Sequence, residues 1–143
     1  MDENYMKWMR RCIELARIAK ERGDSPVGSI VVKDGEIIGE GIEAGKTSRN
    51  VTRHAEIEAI QDAIQKGEQD FTDCIMVTTH EPCIMCSYVI RHHRIGKVVM
   101  GLRVGEIGGD SSSYPILRDT SISCWGEVPI VVSGILEEDC KLI

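Results

Sequence analysis

The chain has 143 residues, 42% of them hydrophobic, which is enough material for one domain with a sizeable core, and we expect that domain to span residues 1–143. No apolar run approaches the roughly 20 residues of a membrane span, and the N-terminus lacks the character of a signal peptide, so we expect a cytoplasmic protein with no membrane partner. The formal net charge of −6 disfavours a polynucleotide partner, because non-specific affinity for nucleic acid comes largely from Lys and Arg side chains that neutralise phosphates.

The N-terminal part of the chain is predicted to form a helix followed by a β-hairpin. Apolar residues recur every three or four positions over residues 5–22, with Lys and Arg between them, which is the pattern of an amphipathic helix. Residues 29–33 form a short apolar strand, and Asp34-Gly35 is a two-residue turn into a second strand at 36–42. Residues 46–51 are then predicted to be a loop.

The rest of the chain is predicted to alternate helices with strands. The predicted elements are a helix at 54–65, a strand at 74–79, a helix at 83–92, a strand at 97–101, a short helix at 114–119, a strand at 128–132 and a final helix from 136. A hairpin followed by this alternation predicts an α/β fold, a three-layer α/β/α sandwich around a mixed five-stranded sheet. In such sheets ligands bind beyond the strand ends, where the helices at 54–65 and 83–92 begin.

Two short motifs stand at the starts of these two helices. One is His-x-Glu, from His54 to Glu56, and the other is Pro-Cys-x-x-Cys, from Pro82 to Cys86. One imidazole and two thiolates are three of the four ligands of a tetrahedral Zn²⁺ ion, and three protein ligands leave the fourth position open for water. We therefore predict one catalytic zinc ion per subunit, held by His54, Cys83 and Cys86. A redox Cys-x-x-Cys pair is the alternative, but it does not account for His54 and Glu56.

These motifs resemble those of the cytidine/deoxycytidylate deaminase superfamily, in which His-x-Glu is followed by Pro-Cys-x-x-Cys. Within the superfamily the chain is similar to the branch of tRNA adenosine deaminases, guanine deaminases and fungal-type cytosine deaminases. The resemblance extends over most of the chain, through residues 26–32, 52–56, 81–88 and 108–109. It implies a cytidine deaminase-like fold, a zinc-dependent hydrolase acting on C–N bonds of cyclic amidines, and a homodimer in which both subunits shape each site.

The resemblance also implies a mechanism. Zinc lowers the pKa of a water molecule to roughly 7, and that water attacks the ring carbon that bears an exocyclic amine. Glu56 is the catalytic residue, which protonates the ring nitrogen and then the departing ammonia. The backbone N–H of Cys83, at the helix start, is the candidate oxyanion donor. A catalytically silent zinc-binding subunit is a further alternative, although the presence of Glu56 favours catalysis.

Candidate substrate contacts come from the comparison with these relatives, which usually carry an Asn eleven residues before the motif His, where this chain has Glu43. An ionised Glu only accepts hydrogen bonds, so the base edge facing it should present N–H groups. The alternative is that Glu43 points to solvent. The other candidates are Val27 beside the first strand, His80 near the ring, Arg53 for an anionic group and Asp110 as a cap in the Gly-rich loop.

The sequence thus predicts a zinc-dependent deaminase of a free nucleobase, nucleoside or related amino-heterocycle. The character of Glu43 favours a guanine-like purine, a pterin or an aminotriazine, with cytosine and adenine as further candidates. A tRNA-specific adenosine deaminase, which converts adenosine to inosine, is the alternative, and the acidic charge disfavours it.

Overall fold

Five strands form one mixed sheet in the computed structural model, which describes residues 2–143. The strands are β1 (Gly28–Lys33), β2 (Glu36–Ile42), β3 (Cys74–His80), β4 (Lys97–Leu102) and β5 (Ile130–Val132). Their order in the sheet is β2-β1-β3-β4-β5. β1 pairs antiparallel with β2 and β3, whereas β3, β4 and β5 are parallel, so the predicted mixed five-stranded sheet is confirmed.

Helices cover both faces of this sheet. They are α1 (Glu3–Glu21), α2 (Gly45–Ser48), α3 (Ala55–Gln65), α4 (Ile84–His92) and α5 (Glu137–Lys141), with 3₁₀ turns at Ile116–Arg118 and Ser123–Trp125. The side chains of α1 and α5 share one apolar core with β1, and those of α3 and α4 form a second core on the opposite face. The fold is therefore the expected three-layer α/β/α sandwich. No helix within residues 2–143 is long and apolar enough to cross a membrane.

Helix α2 lies where the sequence predicted a loop. The carboxylate of Asp24 accepts hydrogen bonds from the backbone N–H groups of Lys46 and Thr47, at 3.0 Å each, and from the Thr47 hydroxyl at 2.7 Å. The first N–H groups of any helix have no carbonyl acceptor within that helix, and in α2 the carboxylate of Asp24 serves as the acceptor. The residue that supports α2 is thus distant in sequence, and local periodicity could not identify it.

Two glycines of β2 let α3 pack directly on the sheet. A Cβ atom at Gly41 would lie 2.1 Å from the carbonyl oxygen of Ala55, and one at Gly39 would lie 2.3 Å from that of Ala59. A larger residue at either position would push α3 away from β2, because real Cβ atoms do not approach backbone that closely. The position of the first turn of α3 is therefore determined by backbone contact with the sheet.

Candidate active site

A cavity of about 240 Å³ opens at the edge of the sheet where β1 begins and β3 ends. α3 and α4 both begin at this edge, so the His-x-Glu and Pro-Cys-x-x-Cys motifs meet there. The residues that line the cavity are Ser25, Val27, Glu43, His54, Glu56, His80, Glu81, Cys83, Val104 and Ile107. This position is the one expected for a ligand site in an open α/β sheet.

Three side chains at this edge have the geometry of a metal site: His54 and Cys83, which line the cavity, and Cys86, which is buried beside them. The Sγ atom of Cys83 lies 3.5 Å from Nδ1 of His54, and Sγ of Cys86 lies 3.4 Å from the same nitrogen. All three candidate ligand atoms lie within 4.8 Å of one another. Bonds of about 2.0–2.3 Å in a tetrahedral zinc site separate the ligand atoms by roughly 3.5 Å, so this donor set fits zinc in both chemistry and spacing.

The three candidate ligands differ in protonation, and only Cys83 is already in the form that binds a metal. The contact with Cys83, together with burial, raises the pKa of the Cys86 thiol well above its usual range. Hydrogen bonds from Cys86 and His54 lower the pKa of the Cys83 thiol to about 4, although burial acts in the opposite direction. The same contact with Cys83 raises the pKa of His54 to about 9. Cys83 is therefore a thiolate near neutral pH, which is the form that ligates a metal. Metal binding would release the protons of His54 and Cys86, because ligation requires the neutral imidazole and the thiolate.

Glu56 stands in the first turn of α3 and faces the same cavity. Its side chain is buried, with 4% of the residue exposed. Burial raises the pKa of its carboxyl group to about 8, since an ionised carboxylate loses hydration there. A carboxyl group whose pKa lies near neutral pH can take up a proton and give it back at small cost, which is the requirement for general acid/base chemistry.

Three of the predicted substrate contacts lie in the cavity wall: Val27, Glu43 and His80. Burial raises the pKa of Glu43, an effect that His54 partly offsets, and the N–H of Gly45 donates to Glu43 Oε2 at 3.4 Å. Nδ1 of His80 is hydrogen-bonded to the Thr79 hydroxyl at 2.9 Å, and burial lowers the pKa of His80. This part of the wall thus offers a carboxyl group, from Glu43, and a neutral imidazole, from His80.

The other two predicted contacts, Arg53 and Asp110, are not among the residues that line the cavity. Nε of Arg53 donates to Oε1 of Glu58 at 2.7 Å. The side chain of Asp110 is fully buried, paired with Arg103 and with Arg118, whose Nε lies 2.6 Å from Oδ1. The buried and paired Asp110 is therefore not available to cap a substrate, which corrects that expectation. The side chain of Arg53 is 46% exposed, and its contact with an anionic group stays a prediction.

Sequence reasoning missed Glu81, which follows β3 and directly precedes the Pro-Cys-x-x-Cys motif. Only 2% of this residue is exposed, and its carboxylate accepts hydrogen bonds from Val104, Asp110 and Ser111. Burial alone would raise the pKa of Glu81, but the bonds from Ser111, Val104 and Asp110 outweigh it and lower that pKa. An acidic residue next to the motif, with a Gly- and Ser-rich loop downstream, was the available signal.

The family follows from a comparison with known proteins. Residues 2–102 match the family model of the cytidine and deoxycytidylate deaminase zinc-binding region. This chain belongs to that family. The deaminase is therefore a hydrolase of the zinc-binding type, and its His/Cys/Cys cluster supplies the candidate ligands for zinc as the cofactor.

Three relatives illustrate what this deaminase is similar to. A tRNA-specific adenosine deaminase from Streptococcus pyogenes is 34% identical over 142 residues, which cover 99% of this chain and 87% of the relative. A solved structure from a study of A-to-I editing by tRNA:A34 deaminases at the wobble position of transfer RNA has a TM-score of 0.86 and 28% identity, covering 95% of this chain and 97% of that one. A guanine deaminase from Bacillus subtilis is 35% identical with a TM-score of 0.65, covering 72% of this chain and 66% of the other.

These comparisons overturn our preference for a free nucleobase or amino-heterocycle as the substrate. Two matches that extend over most of both chains are with tRNA deaminases, which the sequence alone had placed second. The error came from two arguments, the hydrogen-bonding character of Glu43 and the net charge of −6, and the latter is a property of the whole surface. Phosphate binding depends on the side chains that touch the nucleic acid, and these are few in any interface.

Proposed function

We propose that this deaminase acts on adenosine in tRNA and converts it to inosine by hydrolysis. The observation that carries the proposal is the similarity to the tRNA-specific adenosine deaminase of Streptococcus pyogenes, which extends over 99% of this chain. We include in the proposal that residues 1–143 form one zinc-dependent deaminase domain and that the protein is cytoplasmic.

His54, Cys83 and Cys86 are the proposed ligands of one zinc ion per subunit, as their spacing suggests. When bound, zinc acts as a Lewis acid that makes a water molecule nucleophilic near neutral pH. Glu56 takes a proton from that water and delivers it to N1 of the adenine ring. The water oxygen adds at C6, and Glu56 then takes the remaining proton of that new hydroxyl and delivers it to N6. The C6–N6 bond breaks, ammonia leaves and the C6 carbonyl of inosine forms. The backbone N–H of Cys83 donates to the oxygen that adds at C6.

The remaining walls of the cavity are proposed to bind the adenine ring. An enzyme that acts on a nucleobase takes it out of the stack and encloses it in a pocket. The apolar side chains of Val27, Val104 and Ile107 line this cavity and can pack against the faces of a flat ring. Glu43 is proposed to accept a hydrogen bond from the N6 amino group, and His80 to contact the ring edge.

We further propose that the protein is a homodimer that associates through the outer faces of α3 and α4. Tyr88 of α4 is 51% exposed and Ile64 of α3 is 45% exposed, on the sides of these helices that face away from the sheet. Tyr88 stacks on His92 at a centroid distance of 5.4 Å, and Trp125 meets it edge-on at 5.7 Å. Exposed apolar side chains on adjoining helices are typical of a protein interface, and a second copy placed there would adjoin both site-bearing helices.

The proposal is tested with zinc-loaded protein and an anticodon stem-loop RNA that carries adenosine at the wobble position. We expect inosine to form at that position, as measured by mass spectrometry of the digested RNA, and the Glu56→Gln variant to form none. Free adenine, guanine, cytosine and their nucleosides serve as competing substrates. Turnover of a free base without any inosine in the RNA would contradict the proposal.

A further inference from the structure

Residues 104–111 form a loop that leaves the end of β4 and supplies one wall of the cavity through Val104 and Ile107. Ile107 is 57% exposed, so its apolar side chain faces open space. The loop contains three glycines and belongs to no helix or strand. One backbone bond lies within the loop, from the N–H of Gly108 to Gly105 O at 2.9 Å. Contacts with other segments therefore contribute most of what determines the shape of the loop.

Glu81 provides these contacts through four hydrogen bonds. Its Oε1 atom accepts from the N–H of Val104 at 3.0 Å and from the hydroxyl of Ser111 at 2.6 Å. Its Oε2 atom accepts from the N–H of Asp110 at 2.8 Å and from the N–H of Ser111 at 2.7 Å. One carboxylate therefore joins the first and last residues of the loop.

The same carboxylate lies against the middle of the loop. A Cβ atom at Gly108 would lie 2.2 Å from Oε2 of Glu81, so only glycine allows this approach. The loop is also bonded to the beginning of α4, because the N–H of Ile84 donates to Ile107 O at 3.0 Å and the N–H of Gly109 donates to Pro82 O at 2.8 Å. Glu81 thus stands at the junction between the loop and the helix that carries the two cysteines.

The two carboxylates of the cavity consequently differ in what they can still bind. An ionised carboxylate has about four lone-pair sites, and in Glu81 four donors already occupy them. Glu56 has no such set of donors among the side-chain bonds of residues 2–143, and its carboxyl group remains available for proton transfer. Glu81 therefore lines the cavity without being free to react.

We propose that Glu81 is a positioning residue for substrate binding, which holds loop 104–111 in the shape that lets Val104 and Ile107 pack against the target adenine. The inference rests on the proposed function for the identity of the base. It predicts that the loop determines how tightly the substrate binds, whereas Glu56 determines how fast it reacts.

The kinetic test compares Glu81→Gln with Glu56→Gln on the anticodon stem-loop. The amide of Gln presents N–H groups to N–H donors, so at least one bond to the loop is lost while the side-chain volume is kept. We expect KM to rise roughly tenfold and zinc content to stay at the wild-type level in Glu81→Gln. Glu56→Gln should instead lower kcat with little change in KM. A fall in kcat at unchanged KM in Glu81→Gln would overturn the proposal.

Two further variants separate positioning from general destabilisation. Ile107→Ala removes apolar side-chain atoms from the cavity wall but leaves every hydrogen bond of Glu81 in place. Because the base loses packing contacts, KM should again rise roughly tenfold. Because both changes act on the same wall, the double variant should raise KM by much less than the product of the two effects. Ser111→Ala removes one hydroxyl donor and provides a milder change, should Glu81→Gln fail to fold. Multiplicative effects on KM would contradict a shared mechanism.

Hydrogen exchange tests the loop without any substrate. The amides of Val104, Asp110 and Ser111 should be protected in the wild type and should exchange at least tenfold faster in Glu81→Gln and in Gly108→Ala. Equal exchange in the wild type and both variants would overturn the role of Glu81. If the wild type forms no inosine, the proposed function fails, and the exchange rates still decide whether Glu81 holds the loop.

Discussion

The Sγ atom of Cys86 lies 3.4 Å from Nδ1 of His54, although 32 positions separate the two residues in the chain. The distance is short because α3 and α4 begin at the same edge of the sheet, so each helix contributes ligands from its start. Nδ1 of His54 therefore faces the thiols, and this nitrogen is the one we expect to bind the metal.

Removing either thiol should lower zinc content and stability together. Cys83→Ala and Cys86→Ala each leave two of the three ligands, and the binding free energy of a metal contributes to the free energy of unfolding. We expect zinc per subunit to fall well below one and the melting temperature to drop in both variants, as measured by elemental analysis and calorimetry. Cys124→Ala is the matched control, since that thiol is exposed and belongs to no metal cluster in the described structure. Full zinc occupancy in both ligand variants would refute the assignment.

Replacing Glu56 should remove turnover but keep the metal. Glu56→Gln preserves the size of the side chain and removes its ability to carry a proton between water and base, which we expect to lower kcat at least about 100-fold. Zinc content should equal that of the wild type. Glu58→Gln, on the same helix and paired with Arg53, is the control that should remain active. An active, zinc-loaded Glu56→Gln variant would exclude Glu56 as the general acid/base.

Replacing Glu43 should improve the binding of an adenosine substrate. The amide of Gln can accept from N6–H and donate to N7 of adenine, whereas an ionised Glu only accepts. The change also removes a negative charge from a cavity that must receive a polyanion. We expect Glu43→Gln to lower KM for the anticodon stem-loop roughly threefold to tenfold, in line with one added hydrogen bond. An unchanged KM would show that Glu43 does not face the base.

Asp110 should stabilise the protein at neutral pH and lose this effect in acid. The hydrogen bond from Arg118, together with Arg103, lowers the pKa of its carboxyl group below the unfolded value of about 3.9. The unfolded chain therefore binds more protons as the pH falls through that value, and the stabilisation is lost as the pH passes the folded-state pKa. We expect Asp110→Asn to cost about 1.5–3 kcal/mol at pH 7. The difference in melting temperature from the wild type should shrink from about pH 5 to pH 3, and a constant difference would contradict the ion pair.

Charge placed on the outer face of α4 should dissociate the proposed dimer. Tyr88→Glu introduces a carboxylate where two apolar faces would meet, and burying an unpaired charge is costly. Analytical ultracentrifugation should show a dimer for the wild type and a monomer for this variant. Tyr114→Glu, at another exposed tyrosine outside α4, should leave the dimer intact. A wild-type monomer, or a Tyr88→Glu dimer, would place the interface elsewhere or remove it.

Local sequence patterns predicted the parts of this fold that depend on local structure. The Asp34-Gly35 turn and the periodic apolar stripes placed the hairpin and the long helices within a few residues of their observed bounds. The segment at 114–119 is instead one 3₁₀ turn, Ile116–Arg118, and the last strand begins at Ile130 rather than at 128. These short elements are shaped by tertiary contacts, such as the two bonds from buried Arg91 to the carbonyls of Ile116 and Asp119.

The candidate site could be predicted where residue type and spacing carry the chemistry. Together, the His-x-Glu and Pro-Cys-x-x-Cys motifs fit few kinds of site besides a catalytic zinc centre, and the structure brings both motifs to one cavity edge. Asp110 was a candidate cap and Arg53 a candidate contact for an anionic group, and the structure pairs each charge with partners that no local pattern indicates. Burial and pairing decide whether a charged residue is available, and both are properties of the folded chain.

The glycine contacts between β2 and α3 bear on how the enzyme responds to heat. With no side chain between strand and helix at Gly39 and Gly41, there is no compressible layer that could absorb movement of this edge strand. A displacement of β2 should therefore move the start of α3, and with it His54 and Glu56. Loss of order at the edge of the sheet and loss of the reactive arrangement should therefore be one thermal event, with no inactive but folded state between them.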